Sequence, residues 1–144
     1  MFNPTRDQAR RFFFDAWRCY RLGEPLRGAA RTALEVMLLH PEYQPLLDDP
    51  ERNLDRQWGP DSGEANPFLH LSLHLAIEEQ LAIGQPFGLR EVFEALITAR
   101  GDDHEARHML LECLGETLWR AQRQGGALDT ESYLDCARRR AGLK

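Results

Sequence analysis

Two stretches of this 144-residue chain repeat one spacing of metal-binding side chains. His70, His74 and Glu78 stand four residues apart in turn; His104, His108 and Glu112 repeat the pattern, and Glu116 adds one more step. Four of the five histidines in the chain belong to these sets. On an α-helix, four-residue steps keep side chains on one face, drifting by about 40° per step. Neutral imidazoles and carboxylates are ordinary ligands of first-row transition metals. The spacing therefore predicts a site for one or two Fe, Mn or Zn ions, with His70, His74, Glu78, His104, His108, Glu112 and Glu116 as candidate ligands.

The two carrier helices must be placed for such a site to form. One further helix with short connections separates them, and an up, down, up arrangement would make them roughly parallel. Each four-residue step rises about 6 Å, so His70 to Glu78 covers about 12 Å of axis, more than one ion can span. Either two ions share the stripe, or one ion uses His74 and His108 with a neighbouring layer while the outer carboxylates orient imidazole N–H groups. The competing reading is a metal-free core network, since His and Glu four residues apart also support a helix by about 0.2–0.5 kcal/mol. His40 stands apart, next to Pro41, and reads as a helix C-terminal histidine favoured by the helix dipole.

His104-Glu105-Ala106-Arg107-His108 also matches H-E-x-x-H, in which two histidines hold zinc and the glutamate serves as general base. Glu131, further along the chain, is the candidate third ligand for a peptidase of this kind. Such peptidases place a substrate-aligning sheet before the helix, and strand signals here are scarce. Tyr20, Tyr43 and Tyr133 are candidate redox-active phenols, and Cys113 reads as a small core residue.

Helix punctuation is plentiful. Asn3-Pro4 starts a helix that stops near Gly23, and a second runs from Leu26 to Leu39. Residues 41–65 read as largely loop with one short helix around Tyr43 to Leu47, and Trp58 there could cover something. Phe68 to Ala82 alternates like a strand, yet its length, its Asn66-Pro67 start and its Gly84 stop favour a helix, apolar nearly all round and so buried. Three more helices follow: Phe87 to Ala99, Asp102 or Asp103 to Gln124, and Asp129 or Thr130 to Arg140. The expectation is an all-α single domain over residues 1–144, a compact bundle of about five to seven helices in which two buried helices carry the His/Glu sets.

The net charge of −5 argues against a general nucleic-acid binder. Residues 1–40 carry seven Arg against four acids, a balance of +3, so the N-terminal helix reads first as a solvated face and second as a surface for an acidic protein partner. Three cysteines without a C-x-x-C pair fit a reducing cytoplasm better than a disulfide scaffold. Charge comes too early for a signal peptide, and no apolar run is long enough to cross a membrane, so a soluble cytoplasmic protein is expected.

Asn66 to His74, with Cys113-Leu114-Gly115-Glu116, the opening Met1 to Trp17, His40-Pro41-Glu42-Tyr43 and Asp49-Pro50-Glu51, resembles a proteobacterial family known as domain of unknown function 1841. The resemblance covers nearly the whole chain and implies a small helical bacterial protein; it implies no activity. Three functional classes follow from the residues: a catalytic metal site activating water or dioxygen, a closed metal site in a structural or interaction module, and a metal-free adaptor with a buried His/Glu network.

Overall fold

Helices account for all the regular structure among the described residues, 6–58 and 66–143 of a computed structural model. In chain order they are α1 (Arg6–Arg21), α2 (Ala29–Leu38), a 3-10 turn (Pro41–Tyr43), α3 (Gln44–Leu47), α4 (Pro50–Asn53), α5 (Pro67–Ile83), α6 (Leu89–Arg100), α7 (Asp103–Gln124) and α8 (Thr130–Arg140). Eight α-helices exceed the expected five to seven because residues 41–58 hold two four-residue helices and the turn. The Asn3-Pro4 start and residues 59–65 lie outside the described residues. The chain divides into two compact units, Met1–Leu75 and Ala76–Lys144, and α5 contributes residues to both.

In the first unit, three- and four-residue spacing puts Phe13, Phe14, Ala16 and Trp17 of α1 on one buried face. They join Ala33, Val36 and Met37 of α2, Leu47 of α3, and Phe68 and Leu71 of α5 in a single apolar cluster. The Pro- and Asp-rich stretch 41–58 is tied to that cluster by polar groups. Arg10 of α1 is only 2% exposed; its guanidinium donates to the carbonyls of Leu54 (2.8 Å) and Arg56 (2.6 Å). It also lies 5.3 Å from the Trp58 ring centroid and 4.8 Å from that of Phe68. Buried Asn53 donates to the carbonyls of Leu46 (3.2 Å) and Asp49 (2.9 Å). At the end of α3, Asp48 accepts from Trp17 Nε1 (2.6 Å) and from Arg21 Nε (3.0 Å) and a second Arg21 nitrogen (2.9 Å). The Arg21 guanidinium, then the Trp17 N–H, hold the Asp48 carboxyl below its ordinary range.

These contacts revise the picture of α1 as a plain basic face. Arg10 is buried, while Arg6, Arg18 and Arg21 pair with Asp7, Asp15 and Asp48.

In the second unit α6, α7 and α8 pack on one another. Leu89, Val92 and Leu96, then Ala106, Leu110, Cys113 and Leu114, then Tyr133, Leu134 and Ala137 supply the buried faces. Tyr133 is fully buried and its hydroxyl donates to Gln80 Oε1 at 2.8 Å; burial pushes its phenol well above the ordinary value. Cys113 on α7 and Cys136 on α8 form a disulfide with Cα atoms 5.7 Å apart, so the expectation of unpaired cysteines is overturned for these two. Twenty-three residues separate them, and only the packing of α7 on α8 brings them together.

The caps read from sequence set the helix ends. Asn66 Oδ1 accepts from the Phe68 N–H (3.0 Å) ahead of Pro67, Asp102 from His104 (3.1 Å) and Asp129 from Ser132 (3.1 Å). Gly101 and Gly125 end α6 and α7 at φ 73° and 67°, where a side chain would be strained.

Candidate metal centre

His70 and His74 lie one turn apart on α5, on the face predicted by their spacing. His74 has no exposed surface, whereas His70 is half-buried. The residue that meets them comes from outside the predicted set. His40, directly after α2 and 4% exposed, places its Nε2 2.9 Å from His70 Nε2. The His40 ring centroid is 4.7 Å from that of His70 and 5.3 Å from that of His74, and the His70 and His74 centroids are 6.1 Å apart. One ligand nitrogen from each of the three lies within 4.8 Å of the others. A tetrahedral zinc with Zn–N bonds of about 2.0–2.1 Å separates its ligand nitrogens by about 3.3 Å, so the three need only small side-chain adjustment to share an ion.

The reading of His40 as a helix C-terminal histidine captures half of its role. Its Nδ1 lies 2.8 Å from the carbonyl oxygen of Val36, on the last turn of α2. That contact assigns the proton to Nδ1 and turns Nε2 into an acceptor, the tautomer that ligating histidines adopt when a carbonyl orients them. The partner of Nε2 was not legible, because thirty residues separate His40 from His70. Tyr43, at the end of the 3-10 turn, stacks on His40 with rings 5° from parallel and centroids 5.3 Å apart. Burial, then the neighbouring Glu42, raise the Tyr43 phenol above its ordinary value, so it stays protonated at neutral pH.

The remaining predicted ligands lie in the second unit. Glu78, one turn beyond His74 on α5, forms an ion pair with Arg107 of α7. Glu112 accepts from Arg140 at 2.7 Å, and Glu116 pairs with Arg120 on its own helix. His104 and His108 pack against each other near the start of α7, with centroids 4.3 Å apart. Glu105 is exposed, as is Glu131 on α8, and no strand precedes α7 among the described residues. The peptidase pattern thus lacks the sheet that its chemistry uses.

Residues 5–139 match the model of a family described as Domain of unknown function (DUF1841). The chain belongs to the DUF1841 family. No curated protein and no solved structure matches it. The DUF1841 match encloses all five histidines, including the His40, His70 and His74 trio of the first unit. No helix among the described residues of this DUF1841 protein is long and apolar enough to cross a membrane.

Proposed function

We propose that this DUF1841 protein binds a transition metal ion through His40, His70 and His74. The supporting observation is the convergence of three imidazoles from two separate chain segments, with ligand nitrogens within 4.8 Å and His40 oriented by a backbone carbonyl. An all-imidazole set suits zinc or iron better than manganese, which favours oxygen ligands. The expectation that His104 and His108 also ligate metal stands as a separate proposal. The Arg-rich N-terminal helix as a docking surface for an acidic partner is likewise a proposal.

One observation favours a metal-free alternative. The 2.9 Å contact between His40 Nε2 and His70 Nε2 is also the length of a direct hydrogen bond, and a chain running from His70 through His40 to the Val36 carbonyl would order the core without an ion. Calorimetric titration with Zn(II), and anaerobically with Fe(II), of wild type, His40→Ala, His74→Ala and His108→Ala separates the readings. The proposal expects one saturable site lost in His40→Ala and His74→Ala. Uptake unchanged in both would remove it, and the His108→Ala trace tests the ligand proposed on α7.

A further inference from the structure

A cleft of about 640 Å³ opens in the first unit, walled by Tyr43, Leu46 and Trp58 and rimmed by Glu42 and Arg52. Its size falls within the range of about 300–1,000 Å³ that suits small-molecule ligands. Tyr43 belongs both to this wall and to the stack on His40, so the cleft adjoins the histidine trio.

The rim charges differ in commitment. Asp49 also borders the cleft, but its Oδ1 already accepts the Arg52 backbone N–H as the cap of α4. The Arg52 side chain makes no ion pair among the described residues, unlike Arg6, Arg10, Arg18 and Arg21, each of which is held by a carboxylate or by carbonyls. Glu42 lies exposed on the same rim, in the first turn of the 3-10 segment. A guanidinium suits a carboxylate through two parallel N–H bonds, a glutamate suits an ammonium, and apolar and aromatic walls suit a planar side chain. Arg56 also borders the cleft, but its guanidinium lies over the Trp58 ring, 4.8 Å from the centroid, which leaves Arg52 and Glu42 as the charges a ligand would meet; a ligand carrying both charges suits that pair better than a simple anion or a simple cation.

We infer that this cleft binds a free amino acid with an aromatic side chain, its carboxylate on Arg52, its ammonium on Glu42 and its ring against the wall that Tyr43, Leu46 and Trp58 form. Binding needs no metal, so this inference and the metal proposal can fail separately.

The test is calorimetric titration of chelator-treated full-length protein with L-phenylalanine, phenethylamine and 3-phenylpropionate. The amine lacks the carboxylate and the acid lacks the ammonium. Saturable phenylalanine binding is expected, with each analogue about tenfold weaker, as one lost charge-assisted contact at a partly exposed site implies. Arg52→Gln should abolish the preference for phenylalanine over phenethylamine. Glu42→Gln should abolish the preference over phenylpropionate. Both side chains are exposed, and circular dichroism of the variants checks that the fold is kept. Absence of saturable phenylalanine binding overturns the inference, and so do equal affinities for the three compounds or preferences that survive both substitutions. Zinc uptake measured on the same preparations reports on the metal proposal and not on the cleft.

Discussion

The same His-x-x-x-His spacing occurs once in each unit, on α5 and on α7. In the first unit His70 and His74 meet a third imidazole, His40, whose other nitrogen is fixed by a carbonyl, and an aromatic ring stacks behind it. In the second, His104 and His108 pack on each other, and the carboxylates expected to serve as ligands, Glu78, Glu112 and Glu116, are engaged by Arg107, Arg140 and Arg120. Helical spacing decides which side chains share a face; the residues packed opposite decide what that face can do. Carboxylates engaged by guanidinium groups already have a partner of opposite charge, whereas an imidazole nitrogen without its proton presents a lone pair that a cation can use.

The units also differ in how they are held together, and the sharpest contrast should come from Arg10. Arg10→Ala strands two carbonyls and removes a cation from two ring faces, and should cost about 4 kcal/mol, seen as a lower urea midpoint. A loss below about 1 kcal/mol would show that the tether on residues 53–58 is dispensable. The second unit carries a covalent link between α7 and α8. Replacing both Cys113 and Cys136 with Ser should cost about 3 kcal/mol, the chain-entropy value for closing a loop over 23 residues. Equal stability of wild type and variant without reductant would mean that the link contributes nothing.

Opposite pH responses should follow. The folded-state pKa of Asp48 is lowered by Arg21 and Trp17, so its stabilisation is present above its unfolded value and lost as pH falls through the folded one. Tyr133 is raised by burial, so its stabilisation is present below its unfolded value of about 10 and lost as pH rises beyond it. Asp48→Asn should flatten the acid limb of the stability curve by no more than about 1 kcal/mol, because the pair with Arg21 is half exposed. Tyr133→Phe should flatten only the alkaline limb. The smallest effect is expected at Arg140→Ala, under about 1 kcal/mol, since its pair with Glu112 is largely solvated. Stability curves by chemical denaturation across pH check all three.

Local chemistry explains what could be read in advance. Asn66-Pro67, Asp102 and Asp129 announce helix starts because their side chains meet N–H groups within three residues, and Gly101 and Gly125 announce ends because a left-handed residue is needed there. Phe68 to Ala82 alternates like a strand but forms α5, whose buried positions Phe68, Leu71, Leu73, His74 and Ile77 lie all round the helix. What escaped the sequence reading depends on partners far along the chain. His40 meets His70 across thirty residues, Arg10 meets the carbonyls of Leu54 and Arg56 across more than forty, and Cys113 meets Cys136 across twenty-three. The arginines that take Glu78 and Glu112 are 29 and 28 residues away, so no spacing rule could mark those carboxylates as occupied.

The most direct test is elemental analysis of untagged protein purified without chelator, wild type beside His40→Ala. About one zinc or iron per chain in wild type, falling to background in His40→Ala, is the predicted result. Wild type without metal and without uptake on titration, or metal retained in full by His40→Ala, would contradict the histidine trio as a metal centre and leave it a hydrogen-bonded core network.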